Sequence, residues 1–272
     1  MELIRKQGIV LGRRNFAEAD VILDLLPESG PPESVKAHGI RASRKRSQII
    51  TEPGSRVALV YYRGKNGPGS LKEGEVLERF QELKSSYENS LLLAYILELT
   101  AGAAWGNEGS ALLQLLEGAL RALQERRIDL RERPSDESSA QGERIWLFEL
   151  LGFYKTRLLS ILGLLGDCEH CSLCGEELGR RACWPGPLEV SFTCEKCSPE
   201  AGESEAWQAR AVSLAQSRKF ARFLEFLPPA PEDLLEATRA LDLRLGRALE
   251  AQFTRPPASR KEFYGRALGS SP

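Results

Sequence analysis

The sequence predicts an α+β chain of several domains: a small β-barrel at the N-terminus, then an α-helical domain with a four-cysteine module inserted in it. Three observations predict this. Residues 1–80 hold five short apolar runs separated by turn-rich pieces, the apolar period turns helical from residue 85, and two Cys-x2-Cys pairs interrupt the helical part. A chain of 272 residues is long enough for two domains with a core each, and 42% apolar with 28% charged residues is an ordinary globular composition.

The five strand-like runs are QGIVLG, ADVILDLL, SVKAHGI, RVALVYY and the stretch 71–80. Between them PESGPPES and RGKNGPGS break regular structure, because Gly and Pro suit turns and not ladders. RVALVYY is apolar on both faces and reads as a central strand covered on each side. Five short strands in this length fit a closed barrel of OB-fold type, and an SH3-like barrel fits nearly as well.

Helical spacing follows. Leu91, Leu92, Tyr95, Ile96 and Leu99 share one face, as do Leu112, Leu113, Leu116, Leu120 and Leu123 of a second helix. A third spans 143–165 with Phe148, Leu151, Leu158 and Leu162, after the polar loop RERPSDESSAQGE. Beyond the cysteines, one helix carries Trp207, Ala211, Leu214 and Phe223, and another carries Leu234, Leu241, Leu245 and Leu249. The expected division is a barrel at 1–80, a helical domain at 81–167 and 201–253, the cysteine module at 168–200, and a disordered tail at 254–272.

Cys171-x2-Cys174-Gly175 precedes Cys194-x2-Cys197 by the 19 residues 175–193. Each pair makes a tight turn that aims two thiolates at one ion, and two turns complete a tetrahedron, so the spacing predicts one structural Zn²⁺. Trp184, Val190 and Phe192 lie on a connection long enough for a hairpin over the metal. Cys168 and His170 are spare donors beside a knuckle whose own two cysteines suffice, and Cys183 reads as a small buried apolar residue. Four thiolates leave no position for water, so the expected metal is not catalytic.

The net charge of −1 hides an asymmetry: residues 1–79 carry 14 Lys and Arg against 10 Asp and Glu. Five of these cations, Lys36, Arg41, Arg44, Lys45 and Arg46, fall in residues 36–46 with no acidic residue among them. Such a cluster suits phosphate contacts, and Arg5, Lys6, Arg13 and Arg14 extend it if the first strand lies alongside. Tyr61 and Tyr62 are candidate base-stacking groups, although one strand cannot show both on one face. No phosphate loop, nucleophile elbow or dinucleotide fingerprint appears, and the two histidines, His38 and His170, fall in different expected domains. The expectation is a binding protein with no catalytic residues. The N-terminus lacks a signal peptide and the stretch LLLAYILEL is too short to span a membrane, so a cytoplasmic protein is expected.

The run GIVLGRRNFAEADVIL (8–23), the Gly39-Ile-Arg-Ala-Ser-Arg loop, and Phe148-Glu-Leu-Leu-Gly with Leu164-Leu-Gly-Asp before the first knuckle resemble, in that order, the RecO family of bacterial recombination mediators. The resemblance covers residues 1 to about 250. It implies an OB-fold followed by a helical domain with a zinc module. It also implies binding of single- and double-stranded DNA, annealing of complementary strands, and partnership with RecR and single-stranded DNA-binding protein in loading RecA. By position it puts DNA contacts on Lys36, Arg41, Arg44, Lys45 and Arg46, then on Arg13 and Arg14. The alternative from the residues themselves is a zinc-ribbon and OB scaffold that binds protein or RNA without annealing. An unrecognised metal-dependent nuclease is disfavoured by the closed cysteine set.

Overall fold

The structure, a computed structural model, describes residues 2–43, 47–64, 67–104, 109–132, 140–178, 182–183, 191–198, 203–218, 220–227 and 233–267. It divides into two compact units, Met1–Glu132 with Arg255–Pro272, and Arg133–Thr254.

Five strands build the barrel: β1 (Leu3–Phe16), β2 (Asp20–Pro27), β3 (Glu33–Ala37), β4 (Arg56–Tyr62) and β5 (Gly69–Glu78). They pair in the order β1-β2-β3-β5-β4 and close back on β1, with β3 parallel to β5 and the other pairs antiparallel. That ring is the OB arrangement, so the barrel type left open by strand count is decided by connectivity. β1 is long because it serves two neighbours: residues 3–9 pair with β4 and residues 8–16 with β2. The crossover falls at Gly8, where a Cβ would lie 2.1 Å from the Leu26 carbonyl oxygen, so only glycine admits the approach.

Alternation packs the interior. Val10, Leu23, Leu25, Val35, Val57 and Leu59 are fully buried together, and Ile50 on a single 3₁₀ turn (Gln48–Thr51) plugs one mouth. RVALVYY corrects its sequence expectation. Val57, Leu59 and Tyr61 are buried while the intervening residues are half-buried, because a barrel strand has one inner face and no strand is central.

Two helices, α1 (Tyr87–Ala104) and α2 (Gly109–Glu132), pack on this barrel, α1 against β1 and α2 against β2. The compact unit therefore runs past the composition change at residue 80. The tail also differs from expectation. Residues 255–267 form α7 (Arg260–Glu262) and a π turn (Phe263–Ala267), with Phe263 and Tyr264 buried against Tyr95 at ring separations of 5.1 and 5.8 Å. Ser259 donates from both its N–H and its hydroxyl to Glu98, at 3.0 and 2.8 Å. Two buried aromatics and the Ser259–Glu98 hydrogen bonds order a segment whose polar composition reads as disorder.

The second unit is built round α3 (Ala140–Ile161), which is buried on nearly every side from Leu147 to Leu159. Packed on it are α4 (Glu203–Ser217), α5 (Phe220–Phe226) and α6 (Leu234–Glu250). The single helix expected from Trp207 to Phe223 is two, divided after Ser217. A two-stranded hairpin, β6 (Ala182–Cys183) with β7 (Thr193–Cys194), lies in the cysteine module. No described helix is long and apolar enough to cross a membrane.

Candidate metal centre and nucleic-acid surface

The four predicted ligands converge. The Sγ atoms of Cys171, Cys174, Cys194 and Cys197 all lie within 4.8 Å of one another, with Cys174 and Cys194 3.6 Å apart. Zn–S bonds of about 2.3 Å in a tetrahedron require sulfur separations of roughly 3.8 Å, so the cluster fits a four-coordinate thiophilic ion. Local backbone chemistry makes the fit. Gly175 takes φ +73° and returns its N–H to the Cys171 carbonyl at 2.9 Å, the turn that glycine permits. The second knuckle closes the same way, with the N–H groups of Cys197 and Ser198 both 3.0 Å from the Cys194 carbonyl. Ser172 donates to the Phe192 carbonyl at 2.8 Å, which ties the first knuckle to the strand leading into the second.

Burial opposes ionisation of Cys171, but backbone N–H groups of Cys174, Cys194 and Leu173 directed at its sulfur outweigh it and bring its pKa to about 6. Hydrogen bonds with the Cys194 and Cys174 sulfurs hold the Cys197 thiol protonated, up to about 12. Without a cation, one thiolate forms readily and its neighbours resist a second, which a divalent ion reverses.

The spare donors stand apart. Burial pushes the Cys168 thiol up to about 12 and its sulfur faces the Gly166 carbonyl, while His170 Nδ1 lies 2.9 Å from Asp167 Oδ2. Among the described residues the metal-capable group contains neither. Phe192 is buried beside the knuckles. Trp184 and Val190 lie outside the described residues, and so does the side chain of Cys183 in β6.

On the barrel, the register sets Arg14, Ile22 and Lys36 in one row across β1, β2 and β3. The Arg41 N–H donates to the Ala19 carbonyl at 3.0 Å, which brings the loop after β3 to the β1–β2 turn. Arg14 and Lys36 thus share an outer row at this end of the sheet with Arg41 on the adjoining loop, whereas Arg13, in register with the core residue Leu23, lies on the inner face of β1. Arg44, Lys45 and Arg46 lie outside the described residues. Two of the gathered cations are balanced: Arg14 pairs with Asp24 at 2.9 Å and Lys36 with Asp20 at 3.0 Å. Arg13 reaches Thr51 Oγ1 at 3.4 Å, and neither it nor Arg41 forms an ion pair among the described residues. Asp20 also accepts the Gly39 N–H at 2.8 Å, and that bond, then Lys36, holds its carboxyl below the usual carboxylate range.

Two sequence candidates do other work. Lys6 turns into the opposite mouth of the barrel, where it bonds Glu33 and the Ser29 carbonyl. Tyr61 is buried there and donates to Glu33 at 2.7 Å, which leaves Tyr62, half-buried, as the outward member of the pair. The residues missed in the sequence are Asp20, Asp24 and Phe16. Asp20 lies in the run 8–23 that carries the family resemblance, but which cations it faces depends on register.

A model of the Recombination protein O N-terminal domain matches residues 1–80, and one of the Recombination protein O C-terminal domain matches residues 139–256, close to the second compact unit. DNA repair protein RecO of Leptospira biflexa serovar Patoc is 29% identical over 265 residues, 96% of this chain and 97% of the relative. The protein of the same name from Desulforamulus reducens is 26% identical over 199 residues, 73% and 70% of the two chains. That from Bacillus pumilus is 25% identical over 196 residues, 72% and 68% of the two chains.

Proposed function

The chain belongs to the RecO family, and on that premise we propose that it is a non-enzymatic recombination mediator in DNA repair. It binds single- and double-stranded DNA, anneals complementary strands without nucleotide hydrolysis, and with RecR promotes the loading of RecA in the RecFOR pathway. Single-stranded DNA-binding protein is the expected further partner, and the cytoplasm, at the nucleoid during repair, the expected place. The observation that carries the reading is the match of both family models, in order, to the barrel and the helical unit. The outer basic row of Arg14 and Lys36, with Arg41 on the adjoining loop and Arg13 at the same strand end, supports it physically. Cations placed on a rigid sheet neutralise phosphates of two strands, reduce their repulsion and raise the rate at which they pair.

One Zn²⁺ held by Cys171, Cys174, Cys194 and Cys197 completes the proposal. The ion, when bound, supplies cross-links between the two knuckles. The chain supplies four sulfurs, the glycine turn and the backbone donors at Cys171.

The test is annealing of two complementary oligonucleotides across a salt series without ATP. Acceleration that fades with salt and falls in Lys45→Glu/Arg46→Glu is expected, with binding weakened alike for all sequences. No acceleration by folded, metal-loaded protein would overturn the reading. The balance of Arg14 by Asp24 and Lys36 by Asp20 favours the second reading, a scaffold for protein or RNA. Nucleic-acid affinity that survives the double reversal would make the loop a solvated face only, and an absence of annealing would point to that scaffold.

A further inference from the structure

Phe16 ends β1 with 47% of its surface exposed, on the same outer file as Arg14 and directly across from Asp20. A phenyl ring there contributes little to the barrel core, yet it is not left loose. The Lys36 ammonium lies 4.2 Å from the ring centroid, and Asp20 holds that ammonium at 3.0 Å. Asp20 is itself fixed by the Gly39 N–H at 2.8 Å. One face of the ring is thus occupied by an anchored cation, and the exposed surface belongs to the other. Arg14 shares the ring's outer file two residues away, Arg13 lies on the other face of the same strand end, and the Arg41 loop is tied to the adjoining turn.

An immobilised aromatic face beside guanidinium groups offers what an unpaired base and its phosphate require together: a π-surface for stacking and cations for the backbone. In a duplex each base is already stacked on its neighbours, so the same ring gains nothing from paired DNA. We propose that Phe16 is a stacking platform for an unpaired nucleobase, so that this end of the barrel distinguishes single-stranded from duplex DNA. The proposal rests on the DNA-binding reading above and adds to it a residue and a preference.

The experiment uses the full chain and fluorescence anisotropy with a labelled oligothymidylate and a blunt duplex of equal length. Phe16→Leu keeps an apolar side chain and removes the ring. Its affinity for the single strand is expected to fall about tenfold, with duplex affinity and the salt slope of binding unchanged, because no phosphate contact is lost. Phe16→Tyr is expected to restore single-strand affinity. Wild-type affinity in Phe16→Leu, or an equal loss on both DNAs, would overturn the proposal while leaving the DNA-binding reading in place. Failure of the wild type to bind either DNA would remove the reading and the proposal with it. A second measurement needs no variant. An oligonucleotide carrying 5-iodouracil, irradiated in complex with the wild type, is expected to cross-link to Phe16, and cross-links confined to other residues would refute stacking there.

Discussion

In the barrel itself, charge that enters the inner face does so at a mouth. Lys6 and Glu33 meet at one mouth with 20% and 23% of their side chains still exposed, and the interior beyond them is apolar. In the helical unit, Lys155 on α3 and Asp242 on α6 are both fully buried, paired at 2.5 Å, with the lysine also donating to the Asp242 carbonyl at 3.1 Å. Six residues before Lys155 on the same helix, Glu149 is largely buried and makes no ion pair among the described residues. The same unit holds the four clustered thiols. A sheet closed on itself satisfies its backbone within the ring and needs nothing further. A central helix covered on all sides forces any charge on its sequence inward. The comparison teaches that the barrel keeps its ion pairs within reach of water, whereas the helical unit rests on a fully buried ion pair, on the protonation of a buried carboxyl and, on the proposed reading, on a metal.

The largest expected break in that contrast comes from removing the metal. Cys171→Ser leaves three thiolates, which release the ion. Structural zinc is worth about 10–16 kcal/mol in isolated finger peptides, so loss of the knuckles' fold is expected. Metal analysis should find sub-stoichiometric zinc, and hydrogen exchange should find protection lost around residues 171–198 and kept in β1 to β5. Zinc retained in full would refute Cys171 as a ligand, and loss of barrel protection would refute the independence of the two units.

Breaking the buried pair is the next largest effect. Lys155→Met takes the lysine from a buried Asp242 carboxylate, at an expected cost of about 3–5 kcal/mol. Lys155→Met with Asp242→Leu should recover most of it, because the pair's attraction and its desolvation largely cancel. Denaturant melts of the single and double variants check this. A single variant as stable as the wild type would mean that water reaches the site.

The two units were also unequally legible. The cysteine cluster was readable because its chemistry is local: two-residue spacings, with Gly175 after the first pair, specify the knuckles before any fold exists. The barrel strands were readable from alternation, though β4 appeared covered on both faces because Ala58 and Val60 are apolar on its outer side. What the sequence could not carry was the balance of the basic face. Asp24 reaches Arg14 from ten residues away and Asp20 reaches Lys36 from sixteen, through the registers of two strand pairs. The folded tail escaped for the same reason. Phe263 and Tyr264 find Tyr95 across more than 160 residues, which no window of composition detects.

The smallest expected effect is the sharpest test of conditional stability, because it has a sign. Burial raises the Glu149 carboxyl from 4.5 to about 7. A raised folded-state value means that the contribution to stability is fully present below the unfolded value, and is lost as pH rises through the folded one. Glu149 therefore weakens the helical unit progressively between about pH 4.5 and pH 7, and the loss is complete above that. In the barrel the sign is opposite. Burial would raise Glu33, but the Lys6 and Tyr61 hydrogen bonds prevail and hold its carboxyl down, so its contribution is present at neutral pH and disappears in acid. Glu149→Gln removes the ionising group and keeps its shape. It should stabilise the helical unit by about 2 kcal/mol at pH 8, allowing for the solvent that reaches a partly buried group, and by progressively less as the pH falls toward 4.5. Comparing variant with wild type at each pH cancels the acid sensitivity of the thiolates. Exchange protection in α3 and α6 that improves equally at both pH values would show a packing gain in place of a relieved charge.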